Sequence, residues 1–372
     1  MRARSFESWA QQVSTPNNPI DIDRYQALEE SSGLYKFGVG IYNFIQKRCP
    51  WMHHAYFNWL ELCQVSASEK TLLGKANYIA KLEASKPDLI ISVHAHTNHA
   101  FRQVAQRTLP GVKFVVYCGE MFDGYGFSRH WVDPKADAFI GATSAICRTA
   151  KNFGMPKEQV KVGGFMLHPN FYTTPADSSQ KAAFLQETLK LEPGKFTLLL
   201  STGANGALNH PRFLEELAKA QLPVQVIALC GKNAEAKANI ETMAQAWPHL
   251  PVRTLGYRKD MYTILQCCDA IVARPGTGTT SESIMAGCPM IFNTLGGIMP
   301  QEWITVKYMR DHGMCRKRIK KPRDLIEILK PLVNDSERLA TEKNAMRALQ
   351  PQNEPKDIMT WLRDLVKTGA IR

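Results

Sequence analysis

A strand–turn–helix rhythm runs through most of this chain and constrains its fold more than any other feature. Short, nearly continuous apolar runs lie at 88–94, 113–117, 138–142, 160–163, 196–201, 224–230, 252–255, 270–272 and 290–293. Runs of that length without polar alternation suit parallel strands buried on both faces. Helical periodicity separates them at 72–85, 98–107, 145–153, 211–220, 235–247, 260–267, 280–286 and 303–312. Such alternation predicts an α/β fold with doubly wound sheets, whose ligands bind beyond the carboxyl ends of the strands.

With 372 residues, the chain is long enough for two domains. The rhythm breaks at 169–192, where HPNFYTTPADSSQ gathers Pro, Thr, Ser and Asp, and FTLLLS then starts a second unit. The expected division is 1–170 and 171–354, two Rossmann-like halves facing a cleft. A C-terminal helix at about 355–372 is expected to pack back on the first half. The early segment SSGLYKFGVGIYNFIQKRCPWMHHAYFNWLEL reads as helices with aromatic faces. Core packing is the ordinary use of such faces. Contact with a lipid or a membrane boundary, which Trp and Tyr favour, is the functional one.

A net charge of +12 calls for an anionic partner. The densest basic run, 310–323, has no interleaved aromatics and no zinc or RNP-like motif, which argues against nucleic acid. A solvated edge or contact with anionic lipid headgroups remains for it. The longest apolar runs fall far short of the roughly 18–20 residues of a spanning helix. The first residues, MRARSFESWAQQ, lack the apolar core of a signal peptide. Nine cysteines show no CxxC pair and no zinc spacing, so free core thiols in a reducing, cytoplasmic compartment are expected.

The strongest chemical signal is CCDAIVARPGTGTTSESIMAGCPMIF, in which 269–293 reads as strand, Gly-rich turn, helix and strand. Gly276 and Gly278 let a ligand approach the backbone, and the free N–H groups of a helix start favour an anion. Thr279 and Thr280 supply hydroxyl donors or helix caps. Glu282 either accepts hydrogen bonds from ribose hydroxyls or serves as a dipole-compatible capping carboxylate. No Gly-Lys-Ser/Thr follows, so the turn is not a Walker A loop.

On these residues the C-terminal half resembles the C-terminal domain of family-28 glycosyltransferases. The likeness is greatest to the branch of monogalactosyldiacylglycerol synthases and diacylglycerol glucosyltransferases, with MurG-type transferases more distant. Gly276, Gly278, Thr279 and Glu282 fit the family's Gly-rich turn and helix start. Pro300-Gln301-Glu302 stands where relatives carry a Gln-Glu segment that meets the donor sugar, although the family's following Asn is Thr305 here. Cys230-Gly231-Lys232-Asn233 and Leu255-Gly256-Tyr257 are similar to family segments that follow strands, the second bordering the nucleotide base. Gly203 and Asn205 lie in the position of a Gly-rich loop after the domain's first strand. The N-terminal half is similar more loosely, through Trp51-Met52-His53, the run at 87–94, Gly163-Gly164-Phe165 and Trp131 with Pro134. An insertion at 119–130, around Phe122 and Tyr125, reads as a mobile loop over the cleft.

The resemblance implies a GT-B fold and an inverting hexosyltransferase that moves a hexose from a UDP-sugar to a lipid hydroxyl such as that of diacylglycerol. Donor contacts would come from Gly203, Asn205, Gly231, Tyr257, Gly276, Gly278, Thr279, Thr280, Glu282, Gln301 and Glu302. The UDP-sugar is a substrate. No cofactor or metal is implied, because a helix start and backbone dipoles can stabilise the departing diphosphate. The expected setting is peripheral, on an anionic membrane surface at its cytoplasmic face. Inversion needs a base: His94, ending a strand, serves either as that base or as a structural hydrogen-bonding residue. Glu120 and Asp123, after the next strand, are acidic alternatives.

Relatives begin with a strand and a Gly-Gly-Gly-His or Gly-x-Gly-His loop that has no counterpart here. The N-terminal domain is therefore expected to lack its first strand and that loop. Two other readings stay open: a GT-B protein that binds a nucleotide sugar without transfer, and a UDP-sugar 2-epimerase of the same architecture.

Overall fold

A computed structural model describes residues 2–48, 52–63, 67–201, 208–315 and 317–368. The chain forms two compact units: Met1–Pro169 with Met299–Ile304 and Pro351–Arg372, and Asn170–Ile298 with Thr305–Gln350.

The first unit opens with helices α1 (Arg2–Val13), α2 (Ala27–Ser31), α3 (Gly33–Arg48), α4 (His53–Cys63) and α5 (Lys75–Ser85). There follow β1 (Leu89–Ser92), α6 (His99–Thr108), β2 (Lys113–Cys118), β3 (Ala138–Gly141), α7 (Ser144–Asn152) and β4 (Val160–Val162). The four strands are parallel and lie side by side in chain order, β1-β2-β3-β4. Central β3 is buried throughout, while Leu89, Ile90 and Ile91 of edge strand β1 are half-buried. Helix α6 turns Phe101, Val104 and Ala105, one face of its period, into the core with Phe114 and Val116 of β2. From α1, Phe6 meets the Tyr117 ring edge-on at 5.4 Å and Trp9 donates its indole N–H to the Leu167 carbonyl at 2.8 Å.

The second unit runs α8 (Ser178–Ala183), β5 (Phe196–Leu200), α9 (His210–Ala220), β6 (Val224–Gly231), α10 (Ala234–Ala244), β7 (Val252–Gly256) and α11 (Met261–Gln266). It continues through β8 (Ala270–Ala273), α12 (Thr277–Ala286), β9 (Met290–Asn293), α13 (Pro300–Asp311), β10 (Arg318–Ile319), α14 (Asp324–Asn334) and α15 (Ser336–Ala348). The first turn of α13 groups with the first unit and the rest with the second. All six strands are parallel, in the order β10-β9-β8-β5-β6-β7. The order reverses at β5: the chain steps outward through β6 and β7, then returns to the other side for β8, β9 and β10. At such a reversal the loops leaving the two central strands diverge and open a crevice at the carboxyl edge. The last helix, α16 (Pro355–Thr368), packs on α1 and buries Ile358, Met359, Leu362 and Leu365.

The nine expected strands are all present, and the departures have local causes. Strand β10 is two residues long and falls in the basic run, so it carried no apolar signal. Helix α12 begins at Thr277 rather than 280, with Gly276 as an extended cap (φ −81°, ψ 138°). Helix α13 begins at Pro300 rather than 303, and Glu302 Oε2 accepts the Met299 N–H at 2.9 Å. Polar or Pro-led first turns are invisible to an apolar period. The 169–192 segment is tied down. Asp177 and Gln180 cap α8 reciprocally (2.8 and 3.0 Å), and Phe171 packs on Tyr262 at 5.1 Å.

Candidate active site

The carboxyl edge of the six-stranded sheet collects most of the expected donor residues. Gly231 ends β6 at φ +59°, a left-handed conformation that favours glycine, and a Cβ there would meet no atom within 4 Å. Gly276, past β8, is likewise unobstructed. Neither glycine is demanded by neighbouring protein atoms, so the space beside both is available to a ligand. Gly278 and Thr279 lie inside the first turn of α12, where backbone N–H groups have no acceptor within the helix. Thr280 N–H is the first to pair back, with the Gly276 carbonyl at 3.0 Å. An anion-ready helix start thus stands beside the reversal of strand order.

Other residues at this edge divide by environment. Tyr257, just past β7, is 62% exposed. Asn233 accepts the Ala236 N–H at 2.9 Å and starts α10, leaving exposed Lys232 between it and Gly231. Glu282 is half-buried on α12, and desolvation pushes its carboxyl up to about 7. Thr280 differs from expectation: it is fully buried, with its hydroxyl directed at Met290 Sδ (3.4 Å), so it packs the helix on the sheet. Gly203 and Asn205 lie outside the described residues. Arg274 was not read as functional from the sequence. It donates to the Leu295 and Gly297 carbonyls at 3.0 and 2.8 Å, fastening the loop after β9 to the loop after β8.

The first unit gathers a second set at its own carboxyl edge. His94 follows β1 and Glu120 follows β2, the neighbouring parallel strand. His94 keeps solvent access, yet the protein around it lowers its pKa through desolvation. Its Nδ1 accepts the His96 N–H at 3.3 Å, so the neutral ring carries its proton on Nε2 and presents a donor. Glu120 is half-buried, and desolvation raises its pKa, offset in part by the Arg2 guanidinium. Arg2 reaches from α1 to donate to the Gly119 carbonyl at 2.8 Å.

Gln301 and Glu302, expected with the C-terminal half, group with this first unit. Gln301 Nε2 donates to the Tyr42 hydroxyl at 2.7 Å, and Ile304 is buried in the first unit's core. Gly126, at φ +101°, lies so close to Pro300 that a Cβ would sit 1.8 Å from its carbonyl oxygen. Burial, with Glu302 as the next cause, pushes the Tyr42 hydroxyl up to about 12, and Glu120 adds to the rise. Glu120, Tyr42, Gln301 and Glu302 are therefore electrostatic or hydrogen-bonded neighbours.

Asp123 does not join them. Its Oδ2 accepts from the Thr149 hydroxyl at 2.9 Å, which ties the 119–130 loop to α7 and gives the carboxylate a structural partner. The same loop is held from the other side. Tyr125 stacks on His54 and takes a 2.9 Å hydrogen bond with it, and Arg129 donates to the Glu61 carbonyl at 2.5 Å. His96, His99 and His130 stand near His94, with ring centres 5.1–6.1 Å apart along the chain of contacts. Desolvation lowers all three, His96 to about 3, so they act as neutral packing groups near neutral pH. Among the described residues, no three His, Cys, Asp or Glu side chains are grouped to hold a metal ion.

Two parallel-sheet Rossmann-like domains, one with an anion-ready helix start at its order reversal, define the GT-B class of glycosyltransferase folds. Residues 17–166 match the monogalactosyldiacylglycerol (MGDG) synthase family, and residues 197–359 match the glycosyltransferase family 28 C-terminal domain. The resemblance read from the sequence therefore holds on both halves. The chain is 26% identical over 242 residues to a processive diacylglycerol beta-glucosyltransferase of Bacillus pumilus (strain SAFR-032), covering 65% of this chain and 60% of that protein. It is 25% identical over 359 residues to monogalactosyldiacylglycerol synthase 3, chloroplastic, of Arabidopsis thaliana, covering 92% and 70%. The chain thus spans less than two thirds of the bacterial relative's length. Among solved structures, Acinetobacter baumannii MurG superposes with a TM-score of 0.56 at 17% identity, covering 79% of this chain and 77% of that one. A UDP-GlcNAc 2-epimerase from Neisseria meningitidis gives 0.56 at 13% identity, covering 82% and 83%. At such identities the likeness concerns the fold, which transferase and epimerase share.

Proposed function

We propose that the protein is an inverting hexosyltransferase that carries a hexose from a UDP-sugar to the hydroxyl of a diacylglycerol-type lipid. The observation that carries this reading is the α12 start at the strand-order reversal, within a segment that matches the family 28 C-terminal domain. The diphosphate lies on the first-turn N–H groups of α12, near Gly276, and Glu282 accepts from the ribose. Helix-start dipoles stabilise the charge that develops on the departing UDP. Glu120 is the better base. Its raised pKa makes it a stronger proton acceptor than an ordinary carboxylate, whereas the neutral His94 ring has its lone pair engaged and offers an N–H. The acceptor oxygen attacks the anomeric carbon as Glu120 takes its proton, and the bond to UDP breaks.

The lipid side rests on α3 and α4. Leu34, Phe37, Ile41 and Phe44 recur at intervals of three and four and are exposed, as are Trp59 and Leu62. The α3 sequence GLYKFGVGIYNFIQKR contains no acidic residue. An exposed apolar stripe on a helix without negative charge, in a chain of net charge +12, suits shallow insertion into an anionic bilayer surface. Among the described residues no helix is long and apolar enough to cross a membrane. Peripheral contact at the cytoplasmic face is the setting we propose.

One observation favours binding without transfer: among the described residues the first unit's sheet has no order reversal and so builds no crevice by topology alone. The test is to incubate the purified chain with labelled UDP-glucose, UDP-galactose or UDP-GlcNAc, with and without anionic liposomes containing diacylglycerol. Labelled lipid is the expected outcome. UDP binding with no labelled product would replace transfer by binding, and an altered UDP-sugar without liposomes would point to epimerisation.

A further inference from the structure

Within the first unit, the 119–130 loop and helix α7 border a recess of about 340 Å³, room for a small polar ligand. Ala145, Arg148, Thr149 and Asn152 line it from α7 at the three- and four-residue spacing of one helix face, with Lys151 beside them. Phe122 and Asp123 line it from the loop. Phe122 is half-buried and packs against the core, so its ring forms a fixed apolar wall. The charges in the recess are of both signs. Arg148 and Lys151 are exposed, and among the described residues neither side chain has a hydrogen-bond or ion-pair partner. Asp123 Oδ2 accepts from the Thr149 hydroxyl, which leaves Oδ1 without a partner among the described residues.

A simple anion entering the recess would meet two cations and be repelled by the Asp123 carboxylate. A simple cation would meet the reverse. A ligand with a phosphate and an ammonium on one short chain satisfies both signs at once. We propose that the recess binds an aminoalkyl phosphate of the phosphoethanolamine kind, free or as a lipid headgroup. Its phosphate oxygens accept from Arg148 and Lys151, its ammonium donates to Asp123 Oδ1, and its methylenes lie on Phe122. The site is additional to the transferase reading and does not rest on it.

The full chain and its D123N and R148A variants are titrated by NMR with phosphoethanolamine, glycerophosphoethanolamine and inorganic phosphate. The native chain should bind phosphoethanolamine about threefold more tightly than inorganic phosphate, the scale of one exposed ion pair. In D123N the amide oxygen can still accept from Thr149, so the loop stays tied to α7 while the charge is gone. Phosphoethanolamine affinity should then fall about threefold and inorganic phosphate affinity should rise. A merely structural role for Asp123 would not move the two ligands in opposite directions. R148A should weaken every phosphate ligand about tenfold, the loss of a charge-assisted hydrogen bond. Four results would each overturn the proposal: a native chain that binds none of the three ligands, phosphate bound as tightly as phosphoethanolamine, D123N shifting both the same way, or R148A changing neither. Binding of glycerophosphoethanolamine supports the site with a lipid headgroup as its source. Binding of phosphoethanolamine without the glycerol diester supports it with the free ester as its ligand.

Discussion

The two sheets are both parallel and both present a carboxyl edge, yet they furnish those edges differently. The six-stranded sheet reverses its order at β5, and its own loops and the α12 start supply Gly231, Gly276, Gly278 and Glu282. The four-stranded sheet keeps chain order, and residues from outside it populate its edge: Arg2 from α1, Tyr42 from α3, and Gln301 with Glu302 from a segment far along the chain. A reversal makes a crevice as a by-product of topology, whereas a sheet without one must borrow helices. The chemistry differs too. One edge offers backbone donors to an anion, and the other holds a partly desolvated carboxylate.

The largest test of that division is Glu120→Gln, which should lower kcat at least about a hundredfold while UDP affinity stays unchanged. An equal fall in UDP affinity would mean that the two edges do not divide the work. Replacing either Phe37 or Phe44 by Ser should weaken sedimentation with anionic vesicles by about ten- to a hundredfold, since one inserted aromatic is worth roughly 1.5–3 kcal/mol. UDP binding without vesicles should be untouched.

Two glycines sharpen the contrast. Gly276→Ala, at an ordinary φ of −81° with nothing near its Cβ, should leave the denaturation midpoint alone and weaken UDP binding about tenfold. Gly126→Ala, at φ +101° and against the Pro300 carbonyl, should instead cost about 1–3 kcal/mol of stability, read from the shift in that midpoint.

The smallest effect concerns pH. The free protein holds Glu282 at about 7, and ribose hydroxyls donating to it favour the ionised form, so binding near neutrality releases a proton. UDP-glucose affinity should therefore rise a few-fold as pH climbs towards 7 and level off above it, and Glu282→Gln should flatten the profile. The stability sign is opposite. A carboxyl raised in the folded state is penalised when ionised, so it destabilises as pH rises from about 4.3 to about 7. Denaturation midpoints of the native chain and Glu282→Gln across that range would show it.

The strand, turn and helix start of 269–293 were legible. Gly276, Gly278 and Glu282 follow an apolar strand at fixed spacing, and a glycine-led helix start after such a strand has one geometry to adopt. Thr280 was misread because a hydroxyl's direction depends on which face of α12 meets the sheet, and that face carries Met290. Asp123 was misread for a similar reason: Thr149 of α7, 26 residues on, is its partner. Arg2 gave no signal at all. Tyr42 stood out only as one aromatic among many in an early helix.

By itself the sequence determined the strands, their parallel pairing class and the anion-ready turn, because each rests on periodicity or backbone freedom within a few residues. Tertiary structure alone decided that Gln301 and Glu302 join Tyr42 and Glu120, with Gly126 admitting Pro300 at close range. It also decided which carboxylates are desolvated. Burial and electrostatic neighbourhood are sums over chain segments hundreds of residues apart, and no local spacing encodes them.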